Sequence, residues 1–254
     1  MADGAIRGFG LADVTPGFLK PRAALYVDGY NLFHALLDQG RREWLWLDLQ
    51  TLGKGIIRPG ERLSGVTWVS AHRPDRRGRM QAMFAYEQAL RARRVRCLMG
   101  HFVVHGDGCQ NCGHRWTSAT EKQSDVNLAL SIAADAAADR FDVAYLLTTD
   151  GDHAATARFL RETYPTKGLV AVSPPGRGHN RQIGAWVDGV VGIGPNLIER
   201  SMLPDRIRTR KGWVERPLNW SRPQPLPPPD PAPPSTPVPR ADGKGGHLRL
   251  VVSN

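Results

Sequence analysis

The chain has 254 residues, a length that suits one large α/β domain or two small ones with a substantial core. Its net charge of +10 favours a polyanionic partner, although arginine-rich usage across a whole genome is an alternative explanation. Three cysteines are too few for a disulfide framework, no apolar run reaches the roughly 20 residues that span a bilayer, and residues 1–20 lack the features of a signal peptide. We therefore expect a cytoplasmic protein with no membrane contact.

Apolar runs alternate with segments of helical spacing along the chain. Strands are predicted over residues 22–28, 62–71, 95–104, 143–149 and 168–172, with a possible edge strand over 187–193. Helices are predicted over residues 31–38, 48–53, 75–94, 121–139, 152–164, 180–186 and 195–202. This alternation predicts an α/β fold: an open parallel sheet of about five strands flanked by helices on both faces. The third strand can alternatively bend into a hairpin.

The composition divides the chain into one predicted domain with two extensions. The domain covers residues 22–203 and contains a small cysteine-bearing insertion over residues 105–116. Residues 1–21 are glycine-rich and aperiodic, which predicts a flexible N-terminus. Residues 204–254 form an extended segment, and half of the chain's 20 prolines lie between 223 and 239, so we expect disorder from about residue 221, with one stray strand over 247–252.

Acidic residues follow two of the predicted strands and begin one helix. Asp28 ends the first strand, Asp150 and Asp152 follow the fourth, and Asp125 lies near the start of a long helix. Ligand crevices of open α/β sheets form at the carboxyl ends of the strands, although each acid taken singly fits helix capping as well. Four close carboxylates repel one another unless a cation lies among them, and such oxygens suit Mg²⁺ or Mn²⁺. The set therefore predicts a hard-metal site for phosphoryl chemistry.

Two other α/β chemistries fit the sequence less well. Phosphatases of the haloacid dehalogenase type carry a second acid two residues after the first, and here that residue is Tyr30. A phosphatase acting on a small substrate is therefore a weaker hypothesis. Neither a G-x-G-x-x-G after the first strand nor a G-x-x-x-x-G-K-[ST] occurs, which argues against a nucleotide-binding fold of either kind.

Three segments together resemble the NYN domain family of the PIN-like nuclease superfamily: YVDGYN at 26–31, EKQSDV at 121–126 and TDGD at 149–152. The resemblance covers about residues 22–201. It implies a PIN-like fold and a metal-dependent ribonuclease whose catalytic and metal-binding positions, for Mg²⁺ or Mn²⁺, correspond to Asp28, Asn31, Asp125, Asp150 and Asp152.

The chain departs from the family pattern at two positions. Ser131 stands where many members carry a further acid, and His153 where an aromatic residue is usual. A catalytically silent RNA-binding module of the same fold is therefore the alternative function. In the ribonuclease hypothesis the hydroxyl group of Thr149 supports Asp150.

The insertion contains a C-x₂-C motif formed by Cys109 and Cys112. Such a pair supplies two ligands of a tetrahedral zinc site, with His105 and His114, or His101, as candidates for the remainder. Two reduced cysteines in a loop are the alternative. If zinc is bound, we expect it to be structural.

Basic residues cluster in two regions of the sequence. One group lies on and beside the predicted third helix: Arg73, Arg76, Arg77, Arg79, Arg91, Arg93, Arg94 and Arg96. The other comprises Arg177 and Arg181, after the fifth strand. Together with Lys122 beside the acids, these two arginines are predicted to contact RNA phosphates, whereas much of the helix group fits a solvated face.

Overall fold

The structure is a computed structural model that describes residues 20–72 and 77–221, without the side chains of residues 77–79. Most of the predicted N-terminal segment and the predicted disordered tail with its stray strand lie outside the described residues. The same holds for Arg73 and Arg76, and for the side chains of Arg77 and Arg79.

The fold is α/β, as predicted, with a mostly parallel central sheet of seven strands. The strands are β1 (Arg22–Asp28), β2 (Arg62–Ala71), β3 (Arg96–Gly108), β4 (Arg115–Lys122), β5 (Val143–Leu147), β6 (Gly168–Ser173) and β7 (Gly189–Gly192). Their order is β4-β3-β2-β1-β5-β6-β7, and β3 pairs antiparallel with β4. The sheet exceeds the predicted five strands because the insertion forms a long hairpin and β7 adds an edge.

Helices cover the sheet on both faces. They are α1 (Gly29–Asp38), α2 (Leu49–Ile56), α3 (Arg77–Ala92), α4 (Ser124–Ala137), α5 (His153–Thr163), α6 (Arg181–Gly184) and α7 (Pro195–Arg200). Asp48 caps α2 as predicted, because its carboxylate accepts hydrogen bonds from the backbone N–H groups of Gln50 and Thr51. Among the described helices, none has the length and apolar character needed to cross a bilayer.

The strand β1 shows how the two core layers arise. Its side chains alternate, so that Leu25 and Val27 face one layer while Ala24 and Tyr26 face the other. The first layer packs β1 against α1, α2 and α3, and the second packs it against α4 and α5. Both faces of β1 are buried, which explains its continuous apolar sequence.

The predicted helix over residues 121–139 begins later than expected. Glu121 and Lys122 belong to β4, where they pair with Phe102 and His101 of β3. Their backbone groups are therefore used by the strand ladder. Gln123 then adopts a left-handed conformation with φ of 77°, and α4 starts at Ser124.

The folded body continues beyond the predicted boundary at residue 203. A second, two-stranded sheet comprises β8 (Arg206–Thr209) and β9 (Gly212–Glu215). Ile207, Val214 and Trp220 are buried in the first core layer, so the segment from residue 204 is not uniformly extended. Each strand has four residues, too few for hydrophobic alternation to stand out in the sequence.

Candidate metal centre

The strand order places a switch point between β1 and β5. Successive strands are added on one side of β1 up to β4, and on its other side from β5 to β7. Crevices at such points bind ligands in open α/β sheets. A pocket of about 130 Å³ lies here, lined by Asp28, Tyr30, Asn31, Glu121, Gln123, Ser124, Asp125 and Asp150.

Asp28 is held at the carboxyl end of β1 and is almost fully buried, with 6 % of its surface exposed. One carboxylate oxygen accepts the backbone N–H of Asn31 at 3.0 Å, so the residue does cap α1. The other accepts the hydroxyl of Thr148 at 2.9 Å. Burial raises the pKa of Asp28, partly offset by these two hydrogen bonds. Asp28 therefore both caps α1 and lines the pocket.

Glycine is required after Asp28 because α1 begins very close to β2. A Cβ atom at Gly29 would lie 2.4 Å from Nε1 of Trp68 and 2.7 Å from the carbonyl oxygen of Val69. Neither the packed indole nor the strand backbone can move away at low cost. The Asp-Gly pair thus brings the acid and the helix start against the neighbouring strand.

Two threonines after β5 connect the residues of the pocket. Thr148 donates to Asp28 and accepts the backbone N–H of Asp150 at 3.0 Å. The hydroxyl and backbone N–H of Thr149 both lie 3.2 Å from Oδ1 of Asn31. Thr149 therefore supports Asn31 and not Asp150, contrary to expectation, because successive residues of an extended segment point in opposite directions. The hydroxyl that contacts Asp150 is that of Thr148.

Asp125, which lines the pocket, lies beside the buried His153. Oδ1 of Asp125 lies 3.5 Å from Nε2 of His153, a residue with 1 % of its surface exposed. His153 lowers the pKa of Asp125. For His153 itself, burial lowers the pKa, but the carboxylates of Asp125, Asp28 and Asp150 outweigh burial and the net change is upward.

Ligand atoms of Asp28, Asp125 and His153 all lie within 4.8 Å of one another. Their spacing, with two carboxylates and an imidazole, fits the first shell of a single divalent cation. The histidine was not predicted as a site residue. In the sequence, His153 directly follows the acids of the TDGD segment, and this adjacency could have indicated a ligand. The position was instead interpreted as a departure from the family pattern.

Glu121 also lines the pocket and was not among the predicted ligands. Burial raises the pKa of its carboxyl group, and the charges of Asp28 and Asp125 add to the effect. A hydrogen bond from Ser124 partly offsets this rise in pKa, but within the described residues the Oε1 atom is buried without a hydrogen-bond partner. A buried carboxylate oxygen of this kind is expected to have a partner, and a cation in the pocket would provide one.

The fourth predicted acid, Asp152, is not among the residues that line the pocket. It is exposed at the start of α5, and its backbone N–H donates to Oδ1 of Asp150 at 3.0 Å. The pocket lining does include Asp150. Asp152 is the residue that precedes α5.

The predicted phosphate contacts differ in their availability. Lys122 is exposed at the end of β4, and Arg181 is exposed at the start of α6. Arg177 forms an ion pair with Asp38, so part of its charge is already compensated. Within the third-helix group, Arg91 pairs with Glu87, and Arg93 with Asp48.

The cysteine pair lies in the turn between β3 and β4. Backbone N–H groups of Cys112 and Asn111 lower the pKa of the Cys109 thiol, and the Cys112 side chain contributes to the same effect. Within the described residues, three or more potential metal ligands come close together only at the switch point, where Asp28, Asp125 and His153 lie. A zinc site at Cys109 and Cys112, with His105 and His114, or His101, as the further ligands, stays a prediction.

Comparisons with known proteins leave the family open. No protein-family model matches the chain, and no curated protein sequence matches it. A crystal structure of a protein of unknown function from Vibrio parahaemolyticus is similar to it, with a TM-score of 0.47 and 18% identity over 70% of this chain and 95% of that one. That likeness is too distant to bear on function. The resemblance to the NYN family remains a prediction from three sequence segments.

Proposed function

We propose that this protein is a metal-dependent ribonuclease that hydrolyses RNA phosphodiester bonds. The observation that carries the proposal is the convergence of Asp28, Asp125 and the buried His153 within 4.8 Å at the switch point of the sheet. An ion bound there would polarise the scissile phosphate and activate a water molecule. The net charge of +10 fits a polyanionic substrate.

The donor set narrows the choice of metal ion. Both Mg²⁺ and Mn²⁺ accept carboxylate oxygens as ligands. An imidazole nitrogen is a better ligand for Mn²⁺ than for Mg²⁺. Because His153 lies in the group with Asp28 and Asp125, we expect Mn²⁺ to be preferred. Mg²⁺ stays the second candidate.

The remaining pocket residues have separate roles in this proposal. Asn31 is fixed by Thr149 and lines the pocket, where its amide can orient the phosphate. Burial raises the pKa of Glu121, which suits that carboxyl group to accept a proton from the attacking water. Lys122 and Arg181 would bind the RNA backbone, without reading its sequence.

Cleavage of labelled single-stranded and structured RNA in Mn²⁺ tests the proposal. We expect Asp28→Asn, Asp125→Asn and Asp150→Asn to lower the rate by at least about 100-fold, since each removes a charge next to the reacting phosphate. Asp152→Asn is the matched control, because this acid lies outside the pocket. It should cut RNA at close to the wild-type rate. Equal cleavage by the wild type and Asp150→Asn would contradict the proposal.

A catalytically silent RNA-binding module is the second candidate function. Ser131 occupies the place of a further family acid, and its hydroxyl donates to the carbonyl oxygen of Asn127 at 2.6 Å inside α4. With Asp152 also outside the pocket, fewer acids converge than the resemblance implies. This candidate predicts salt-dependent retention of RNA with no metal-stimulated cleavage.

A cytoplasmic location belongs to the same proposal. Three cysteines are too few for a disulfide framework, which supports a reducing compartment.

A phosphatase acting on small esters is the weaker alternative activity. It would release phosphate from generic phosphate monoesters, and we expect no release.

A further inference from the structure

A second pocket, of about 200 Å³, lies near the amino ends of β1 and β2, beside the C-terminal end of α4. We call it the arginine pocket; its charged and polar lining includes Tyr26, Thr67, Arg94, Arg96, Asp135 and Arg140. Asp135 follows Asp125 by ten residues on α4, which places the two acids about 15 Å apart along the helix axis. The arginine pocket is therefore separate from the candidate metal centre.

The hydrogen bonds of Asp135 leave the arginine pocket positively charged. Arg96 donates to both carboxylate oxygens, at 3.1 and 2.6 Å, and Arg140 and Tyr26 donate to one oxygen each. Arg94 also lines the pocket, so its lining contains three arginines and one aspartate. An anionic ligand would balance the excess positive charge.

Donor groups remain available on two of the three arginines. Within the described part of the chain, the Arg94 guanidinium forms neither a hydrogen bond nor an ion pair, although its backbone groups are bonded. Arg140 uses Nη1 for Asp135 and is otherwise open to solvent, with 63% of its side chain exposed. Arg96 is held by Asp135 and by Thr67, so it forms the fixed wall of the arginine pocket.

The backbone at the mouth of the pocket is unusual. Helices α3 and α4 both end in a turn where the N–H of the sixth residue bonds back to the carbonyl of the first, Val95 to Leu90 and Arg140 to Asp135. The left-handed residue of such a turn is normally glycine, but here Arg94 has φ of 61° and Asp139 has φ of 50°. The Asp139 side chain forms ion pairs with Arg22 and Lys167, outside the pocket lining. Arg94 does line the pocket, and a side chain retained there at a cost in free energy points to a function for it.

We infer that the arginine pocket binds a phosphate group. Guanidinium groups are planar donors whose geometry matches phosphate oxygens, and two arginines with unused donor groups line this pocket beside a third that is fixed. The phosphate could belong to a free nucleotide or to an RNA strand. The same chemistry serves both, and the experiment separates them.

Titration calorimetry of the full chain with inorganic phosphate and adenosine monophosphate tests the inference. We expect both to bind, and Arg94→Gln and Arg140→Gln each to weaken binding at least tenfold. Arg158→Gln removes an equal charge from the exposed surface of α5 and should leave affinity unchanged. Absence of binding to the wild type, or equal weakening by Arg158→Gln, would overturn the inference.

Arg94→Gly distinguishes a binding role from a structural one. Glycine adopts a φ of 61° without strain, so this variant should melt at or above the wild-type temperature while losing phosphate binding. If Arg94→Gly lowers the melting temperature, the arginine stabilises the fold and the inference fails.

Binding to single-stranded RNA without terminal phosphates, in metal-free buffer, identifies the source of the phosphate. If an RNA phosphate occupies the arginine pocket, Arg94→Gln should reduce the slope of log K against log salt by about 0.7. If a free nucleotide is the ligand, RNA binding should be unchanged while calorimetric binding is lost. Loss of neither would overturn the inference, whatever the outcome for cleavage at the metal centre.

Discussion

The two ends of helix α4 hold aspartates in opposite environments. At the C-terminal end, Asp135 receives hydrogen bonds from Arg96, Arg140 and Tyr26, and no carboxylate lies among these partners. At the N-terminal end, Asp125 faces His153 and shares its pocket with other acids. Asp135 is paired with two arginines. Asp125 belongs to a group in which the acids outnumber the cationic side chains.

This difference separates a structural acid from a candidate ligand. Both aspartates lie on the same helix and look alike in the sequence, so acidity alone does not mark a site. What marks the candidate site is that four acids line one pocket: Asp28, Glu121, Asp125 and Asp150. Burial raises the pKa of Asp28 and Glu121, whereas His153 lowers the pKa of Asp125. A cation would compensate the N-terminal group, and an anion would compensate the arginines at the other end.

Removing the paired acid should have the largest effect on stability. Asp135→Asn leaves Arg96 and Arg140 without their carboxylate, and breaking a buried pair typically costs 3–5 kcal/mol. Both arginines are partly exposed, so we expect a loss of about 2–3 kcal/mol in the free energy of unfolding. Urea denaturation measures it.

Asp205→Asn is the matched control for that prediction. Asp205 pairs with Arg216, but 83% of its side chain is exposed to water. Exposed pairs contribute little, so the change should stay below about 1 kcal/mol. Equal losses of stability from the two substitutions would show that the Asp135 network contributes no more than an exposed ion pair.

Added Mn²⁺ should stabilise the protein through the other end of α4. At a free concentration 100 times the dissociation constant, a cation that binds only the folded state adds about 2.7 kcal/mol. Thermal melts with and without Mn²⁺ should show this shift in the wild type and in Asp152→Asn. Asp125→Asn and His153→Gln, which each remove a ligand, should lose it. A shift that persists in both would place the ion elsewhere.

The smallest expected effect is a gain in stability from Asp28→Asn in the absence of metal. Because burial raises the folded-state pKa of Asp28, the wild type loses stability as pH rises from 3.8 through that folded value. Asparagine carries no charge and still caps a helix. The two proteins should therefore melt more alike at low pH, with the variant higher at neutral pH. A variant that is less stable at pH 7 would show that the charge of Asp28 is compensated.

The sequence by itself determined the α/β class and the burial of β1 on both of its faces. It also determined that Asp28 and Asp150 lie at the same pocket. These follow from local patterns: an apolar run buried on both sides, and parallel strands whose carboxyl ends meet at one edge. The cap at Asp48 was equally local, since it depends on two backbone N–H groups within three residues.

Only the tertiary structure decided which neighbouring groups share the site. The β3–β4 ladder carries Glu121 into the pocket, the turn into α5 moves Asp152 away from it, and burial makes His153 a candidate ligand. The partners of Asp135 come from β1, from β3 and from the loop after α4, so the pairing of its charge is invisible in the sequence. Charge compensation depends on distances between side chains that are remote along the chain, and the fold sets those distances.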